Sequence, residues 1–314
     1  MITILMATYN GERFIAEQID SLLAQTVRDF KLIICDDCST DNTFSIISGY
    51  AERYPEKITV SQNIENSGGA KHNFLQMMIQ CKDDYIMLSD QDDVWLPDKI
   101  KVTLEKIRVL ESLHTAAKPL LVFTDLKVVD ENLNTISESF SKAAAADYSK
   151  TALNYIIAQN IIAGCTAMYN KALAELVQTP PEYTVMHDWW LILLASAFGK
   201  IDVVDQPTIL YRQHNNNDIG AKKLRSFKNI AHEASNYTKM AAAIDQTYKQ
   251  ADSLLRMYSN RLSKHQIELL KAYISIPGLP RLRRLRILFK YRAFKNGFAR
   301  KAAQVIIALS TAHS

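Results

Sequence analysis

The chain contains 314 residues, of which 48% are hydrophobic and 22% are charged, and its formal net charge is +4. That composition is ordinary for a globular protein, and the length allows one large domain with a sizeable core. No apolar run reaches about 18 residues, and no basic segment precedes the short apolar run at residues 2–6, so we expect neither a membrane-spanning helix nor a signal peptide. The bulk of the protein is therefore expected in the cytosol.

Short runs rich in β-branched residues alternate with longer segments in which apolar residues recur every three or four positions. This alternation predicts crossover units, with a mainly parallel central sheet and helices on both of its faces. The predicted strands are 2–6, 31–37, 57–62, 85–90 and 120–125, and the predicted helical segments between them are 14–25, 43–54, 70–82 and 97–113.

The pattern loosens after about residue 130 but still predicts elements of the same domain. These are a helical run at 151–162, a small-residue segment at 164–170, a helix at 187–199 and two strands at 201–205 and 207–214. From 221 onward helical periodicity dominates. We therefore predict an α/β domain over residues 1–220 and a helical C-terminal region over 221–314.

Cys35 and Cys38 form a C-x-x-C pair, and the chain has four cysteines in all. A structural zinc site requires four ligands, and no second pair of this kind is present. Asp36 and Asp37 between the thiols raise rather than lower the thiol pKa values, which disfavours redox chemistry. We therefore predict reduced, structural thiols.

Polar residues follow three of the predicted strands, and the most acidic of these positions holds Asp90, Asp92 and Asp93. The carboxyl ends of neighbouring parallel strands share one edge of a sheet, where ligands bind. Clustered like charges usually have a cation to hold, and hard oxygen ligands suit Mg²⁺ or Mn²⁺. A solvated acidic turn ahead of the helix near Pro97 is the alternative, and a D-x-D spacing alone is weak evidence.

Four segments occur together in the order ILMATYNGERFIAEQIDSLLAQT, KLIICDDCSTDNT, NIENSGGAKHNF and YIMLSDQDDVWLPDKI. Their order and spacing resemble the family 2 glycosyltransferases, over about residues 1 to 215. The resemblance implies a GT-A fold, which is Rossmann-like, and an enzyme that takes a sugar from a nucleoside diphosphate sugar.

The resemblance also implies which residues bind the donor. Asp37 is expected to accept a hydrogen bond from the imide N–H of the base, Tyr9 to stack on a pyrimidine, and Asp90 to lie near the ribose. For Lys71, an ordinary position after a glycine turn is an equal alternative. The implied nucleotide-sugar-binding residues are Ala7, Thr8, Tyr9, Asp37, Lys71, Asp90 and Gln91.

Metal-binding and catalytic residues are implied in the same way. Asp92 matches the residue that holds the metal on the diphosphate, and His214 in YRQHNNND resembles a metal- or phosphate-contacting His of rhamnosyltransferase-like members. Mg²⁺ or Mn²⁺ is the expected cofactor, because it offsets the charge of the departing nucleoside diphosphate. Asp188 in MHDWWLILLA matches the base that takes the proton from the acceptor hydroxyl.

Two positions depart from the family pattern. His187 stands where members commonly have Glu immediately before the catalytic Asp, and Asn215 replaces a frequent Gly. A helix-capping role for Asp188 and an ordinary surface role for His214 remain alternatives.

The charge is distributed unevenly along the chain. No acidic residue follows Glu268, whereas residues 278–301 hold nine basic residues interleaved with Leu, Ile, Phe and Tyr. Such a segment suits an anionic membrane surface, although packing of a solvated helix on the domain is an equal alternative. Because no recognised nucleic-acid module accompanies the basic tail, we predict no nucleic-acid partner.

These features together predict an inverting, metal-dependent glycosyltransferase that uses dTDP-L-rhamnose or a UDP-hexose to extend a cell-surface or cell-wall polysaccharide. An undecaprenyl-linked acceptor would place it in the cytoplasm, as a peripheral protein on the inner face of the membrane. Two alternatives remain. A sugar-phosphate nucleotidyltransferase would carry a Gly-rich basic loop that ATYNGERF lacks. A non-catalytic module that binds nucleotide sugar or glycan is the other alternative.

Overall fold

The computed structural model describes residues 1–214 and 234–310, with side chains from residue 237 onward in the second range. These residues form two compact units. The sheet unit comprises Met1–Phe140, Ile162–Pro180 and the described part of Gly199–Asn217, and the helical unit comprises Ser141–Ile161, Pro181–Phe198 and the described part of Asp218–Ser314. The predicted boundary between residues 220 and 221 lies outside the described residues.

Strands and helices alternate through the first half of the chain, as the apolar pattern predicts. The strands are β1 (Ile2–Thr8), β2 (Lys31–Asp36), β3 (Ile58–Gln62), β4 (Tyr85–Ser89), β5 (Val94–Trp95), β6 (Leu120–Val129), β7 (Thr135–Ser137), β8 (Ala167–Asn170) and β9 (Lys200–Arg212). The helices are α1 (Ile15–Leu23), α2 (Thr43–Arg53), α3 (Ala70–Gln80), α4 (Lys99–His114), α5 (Phe140–Ala143), α6 (Leu153–Ile156), α7 (Lys171–Val177), α8 (His187–Phe198), α9 (Ala234–Tyr258), α10 (Lys264–Ile274), α11 (Arg281–Tyr291) and α12 (Phe298–Leu309).

The strands of the sheet unit form one sheet in the order β3-β2-β1-β4-β8-β6-β9-β5, with β7 beside β6. β1 pairs in parallel with β2 and β4, and β2 pairs in parallel with β3. Every residue of β1 is buried, as is typical of a central strand covered on both faces. The carboxyl ends of β1, β2 and β4 therefore lie at the same edge of the sheet, at Thr8, Asp36 and Ser89.

β8 runs antiparallel to its neighbours β4 and β6. It occupies the second half of the small-residue segment at 164–170, after a 3₁₀ turn at Gly164–Thr166. Four residues are too few to reveal an alternating pattern, which is why the sequence did not identify this strand.

The strands predicted at 201–205 and 207–214 are one strand, β9, so the prediction of two was wrong. β9 pairs in parallel with β6, and the register shifts between Thr124 opposite Val204 and Asp125 opposite Pro207. Proline has no N–H to donate to the ladder, so the chain bulges at this point and then resumes pairing.

The predicted helical C-terminal segment is confirmed in its described part, by α9, α10, α11 and α12. α10 begins with a capping box, in which the Ser263 side chain accepts from the Gln266 N–H and the Gln266 side chain accepts from the Ser263 N–H. Ala241 and Ile244 of α9 share a buried cluster with Ile307 of α12. Within residues 1–214 and 234–310, we find no helix with both the length and the hydropathy to cross a membrane.

Candidate active site

The carboxyl end of β1 places three of the predicted donor-binding residues. Ala7 and Thr8 are buried at the end of the strand, whereas the Tyr9 side chain is 48% exposed. The Thr8 hydroxyl donates to Asp36 Oδ1 at 3.0 Å. The backbone of Tyr9 exchanges two hydrogen bonds with the Gln91 side-chain amide, each 2.9 Å long. The loops after β1 and β4 are therefore joined through Gln91.

Gly11 is a site residue that the sequence analysis missed. A Cβ at this position would lie 2.3 Å from Oε1 and 2.6 Å from Cδ of Gln91, so only glycine leaves room for the Gln91 amide in its observed place. The Gly11 N–H also donates to Thr43 Oγ1 at 2.7 Å. The Asn10-Gly11 dipeptide was the available signal, since such dipeptides mark tight turns.

Asp37 follows β2 and is 2% exposed. Its Oδ1 accepts from the Asn63 side chain and from the Ser67 N–H, both at 2.7 Å, and its Oδ2 accepts from the Ser67 hydroxyl at 2.8 Å. Asp37 does not cap α2, because the Thr43 N–H at the start of that helix donates to Asp41 Oδ1 at 2.9 Å. Asn63 and Ser67 were not identified from the sequence.

Lys71 lies in the first turn of α3, directly after a glycine turn. Gly68 and Gly69 have φ angles of +90° and +123°, which residues other than glycine rarely adopt. Gly68 is in turn tied to Asn66, whose Oδ1 accepts from the Gly68 N–H at 2.9 Å. The turn thus links the Ser67 contact of Asp37 to the start of α3.

Asp90, Asp92 and Asp93 follow β4. Asp90, Asp93 and Cys165 each offer one possible ligand atom, and these atoms lie within 4.8 Å of one another. Burial and the carboxylates of Asp92 and Asp90 raise the pKa of Asp93 well above its usual value. Burial also raises the pKa of Cys165, which keeps this side chain a thiol.

His214 lies directly against Asp92, with its Nε2 2.7 Å from Asp92 Oδ2. The His214 ring stacks on Phe14 with 5.1 Å between centroids. The side chains of His214 and Asp92 are 11% and 18% exposed. The alternative of an ordinary surface histidine therefore does not describe His214.

Arg212 fixes the backbone that carries Asp92. Its guanidinium donates from Nε to the Asp92 carbonyl at 2.9 Å and from Nη1 to the Glu131 carbonyl at 2.5 Å, and Nη2 pairs with Glu17. The guanidinium carbon lies 4.5 Å from the centroid of Phe14. Arg212 is only 2% exposed, so it acts mainly as a buried crosslink between β9 and the acidic loop.

Lys99 is a further buried charge that the sequence did not reveal. It begins α4, is 0% exposed, and its Nζ lies 4.5 Å from the centroid of Trp95. Burial lowers the pKa of Lys99 to about 7, while the nearby Cys165 and Asp93 act in the opposite direction.

Asp188 lies in the helical unit, in the first turn of α8 and 6% exposed. Its Oδ1 accepts from the Trp189 N–H at 2.6 Å. Burial lowers the pKa of the neighbouring His187 to about 3, so His187 is neutral. Trp189 is 9% exposed and donates from Nε1 to the Ile156 carbonyl at 2.7 Å, as a core residue does.

The side chains that could bind a metal here suit a divalent ion that prefers oxygen ligands. Asp90 and Asp92 supply carboxylates, and His214 supplies an imidazole nitrogen next to Asp92. The protonated thiol of Cys165 is a poor ligand for Mg²⁺ or Mn²⁺, so the group of Asp90, Asp93 and Cys165 does not fit these ions as a complete set. Asp92 and His214 fit them better.

Comparison with known proteins relates the chain to one family. A model of that family, described as Glycosyl transferase family 2, matches residues 3–176. A dTDP-rhamnosyl transferase RfbG of Shigella flexneri is 33% identical over 231 residues, which cover 69% of this chain and 74% of that protein.

Solved structures give the same fold. S. aureus TarS 1-349 in complex with UDP-GlcNAc has a TM-score of 0.55 and 19% identity, over 98% of this chain and 90% of that chain. Mannosyltransferase PcManGT from Pyrobaculum calidifontis, in complex with GDP-Man and Mn²⁺, has a TM-score of 0.51 and 16% identity, over 98% and 85%. The predicted GT-A fold is confirmed.

Proposed function

Because the chain belongs to glycosyl transferase family 2, we propose that it transfers a sugar with inversion from a nucleoside diphosphate sugar to a hydroxyl of a growing cell-surface polysaccharide. The chain is a glycosyltransferase by family membership. The donor, the metal, the catalytic residues and the acceptor belong to the proposal. The observation that carries it is the position of these residues in the sheet. Asp37 follows β2 and Gln91 follows β4, at the same edge of the sheet, and Asp92 in the loop after β4 pairs with His214.

Asp37 is proposed to recognise the base. A carboxylate offers about four lone-pair sites. Asn63 and Ser67 occupy three of those of Asp37, two on Oδ1 and one on Oδ2. The remaining site on Oδ2 suits the imide N–H of a thymine or uracil base, and the exposed ring of Tyr9 suits stacking on a pyrimidine.

Asp92 and His214 are proposed to hold Mg²⁺ or Mn²⁺ at the diphosphate, with Asp90 near the ribose. The bound ion would offset negative charge on the departing nucleoside diphosphate. The chain's own contribution is to hold these ligands in place: Phe14 supports the His214 ring, and Arg212 fixes the carbonyl of Asp92. The Mn²⁺ in the complex of the mannosyltransferase, which has a similar fold, supports this assignment.

Asp188 is proposed as the general base. In the transfer, the acceptor oxygen forms a bond to the anomeric carbon while the bond from that carbon to the diphosphate breaks. The acceptor proton passes to the Asp188 carboxylate, whose Oδ1 is held by the Trp189 N–H.

We propose dTDP-L-rhamnose as the leading donor and UDP-hexoses as the next candidates. The Shigella flexneri relative, a dTDP-rhamnosyl transferase, supports the first, and the TarS complex with UDP-GlcNAc supports a uridine nucleotide. The acceptor is proposed to be undecaprenyl-linked, which would bring the enzyme to the cytoplasmic face of the membrane as a peripheral protein.

A thermal-shift screen of nucleotide sugars, run with Mn²⁺ and with a chelator, tests the donor assignment, because a ligand stabilises the state that it binds. We expect one nucleotide sugar to raise the melting temperature only when the metal is present. Incubation of that donor with acceptor should release the nucleoside diphosphate and give a product of inverted anomeric configuration. Retention of configuration, or equal stabilisation by all donors, would contradict the proposal.

A further inference from the structure

The described residues of the helical unit form an open pocket of about 470 Å³ next to the turn between α11 and α12. Four basic side chains line it, Lys150, Arg292, Lys295 and Lys301. None of its lining residues is an Asp or a Glu. We refer to it below as the basic pocket. Its net charge suits an anion.

The backbone brings the basic residues together. Arg292 ends α11 with a φ of 53°, and Gly297 precedes α12 with a φ of 83°, so the chain reverses between the two helices. No side chain caps the first N–H groups of α12. The positive end of the helix dipole therefore adds to the field of the basic side chains.

Two cations of the basic pocket lie over aromatic rings. Lys301 Nζ is 4.6 Å from the ring centroid of Phe294, and Lys150 Nζ is 5.7 Å from that of Tyr155. Lys150 also pairs with the Asp147 carboxylate at 3.3 Å. The described contacts of Lys301 are with aromatic rings, so an anion from outside the protein would balance its charge.

Two of the other lining side chains are apolar and largely exposed to solvent. Phe298 is 89% exposed and Phe289 is 58% exposed. Ile306, on the same helix as Phe298, is 59% exposed. A small soluble anion would use the cations but leave these aromatic rings in water. A membrane interface accommodates both, because phosphate groups and apolar chains meet there.

We propose that the basic pocket binds the phosphate group of an anionic membrane lipid, with Phe289 and Phe298 against the apolar part of that lipid. This inference rests on the proposed function in one respect, the location at a membrane. It requires neither donor binding nor sugar transfer, so the two can fail separately.

The test is flotation of the full chain with vesicles of phosphatidylcholine alone and of phosphatidylcholine with about one-third phosphatidylglycerol. The variant is Phe298→Ser with Lys301→Gln, which changes two lining residues. The matched control is Leu113→Ser with Lys264→Gln, which removes one charge and one exposed apolar side chain elsewhere. Thermal unfolding of both variants checks that the fold is retained.

We expect the wild-type chain and the control to bind the anionic vesicles and not the neutral ones, and binding to weaken with salt. Lys301→Gln alone should weaken binding roughly fivefold, and the double variant at least about tenfold. Equal binding by the variant and the control would overturn the proposal.

Two further outcomes would also overturn it. Equal binding to neutral vesicles would mean that apolar insertion alone is responsible. Binding of inorganic phosphate or of duplex RNA at the basic pocket, without vesicle binding, would identify a soluble anion or a nucleic acid as the ligand. Donor-dependent thermal stabilisation, measured without vesicles, reports on the proposed function separately and should be the same in both variants.

Discussion

His214 Nε2 lies 2.7 Å from Asp92 Oδ2, although 122 residues separate the two along the chain. His214 lies just after the end of β9, Asp92 lies in the loop after β4, and the ring of Phe14 stacks on the imidazole. We propose that these two side chains would hold one divalent ion.

Asp92→Asn should abolish metal-dependent binding of the donor. The neutral amide keeps the size of the side chain but removes the charge that attracts the ion, so we expect turnover to fall at least about 100-fold. Titration of Mn²⁺ into the metal-free protein, followed by thermal shift with donor, measures the loss. Asp29→Asn is the control, because Asp29 is an exposed carboxylate in the same unit. Unchanged metal dependence in Asp92→Asn would remove Asp92 from the site.

Asp188→Asn should separate binding from chemistry. The donor should bind as in the wild type, whereas transfer should fall about 10²- to 10⁴-fold, because the acceptor hydroxyl loses its base. Calorimetric titration of the donor and release of the nucleoside diphosphate give the two readouts. Glu182→Gln, an exposed carboxylate in the helical unit, is the matched control. A variant that transfers sugar at the wild-type rate would assign the base elsewhere.

The sequence predicted the family, the enzyme class and the parallel half of the sheet, and all three are confirmed. Long apolar runs such as β1 and the longer helices carry enough periodic positions to be recognised. β8 is too short for that, and Pro207 made one bulged strand look like two. The assignments of site residues stay predictions.

Partners that arise only through folding could not be predicted. Asn63 and Ser67 orient Asp37 from 26 and 30 residues away, and Arg212 reaches the Asp92 carbonyl over 120 residues. Nothing in their local sequence marks these residues as part of a site. The burial of Lys99 could not be predicted either, because burial of a lysine is set by its neighbours in space.

Gly11→Ala should weaken donor binding with little loss of stability. The added Cβ would displace the Gln91 amide, which is the mobile end of a side chain, so the cost falls on the two hydrogen bonds to Tyr9. We expect the donor Kd to rise about tenfold, and Gln91→Ala to have the same effect. In the double variant the losses of affinity should not add, since each substitution removes the same contact between Gln91 and the Tyr9 backbone.

Gly49→Ala is the matched control for Gly11→Ala. A Cβ at Gly49 meets nothing within 4 Å, and the residue lies inside α2, so we expect stabilisation by about 1 kcal/mol and an unchanged donor Kd. Additive losses in the Gly11 and Gln91 double variant would show that the two residues act independently.

Arg212→Lys should lower the free energy of unfolding by about 2–4 kcal/mol, because lysine cannot reproduce the planar set of donors that Arg212 directs to two carbonyls and to Glu17. Urea unfolding measures the change. Arg13→Lys is the control, since Arg13 also lies over Phe14 but is 60% exposed, and its surface pair with Glu131 should contribute less than about 1 kcal/mol. Equal losses in both variants would contradict the role of Arg212 as a buried crosslink.

Lys99→Met should flatten the dependence of stability on pH. Burial lowers the pKa of Lys99 from 10.5 to about 7, so between these values the unfolded chain holds a proton that the folded chain has lost. The free energy of unfolding of the wild type should therefore rise with pH across this window, and Lys99→Met should lack that rise. Lys101→Met, at an exposed position of the same helix, should keep the wild-type slope. Urea unfolding of the metal-free protein at about pH 7, 8 and 9 measures the slopes. Parallel profiles for Lys99→Met and the wild type would show that Lys99 stays charged in the folded protein.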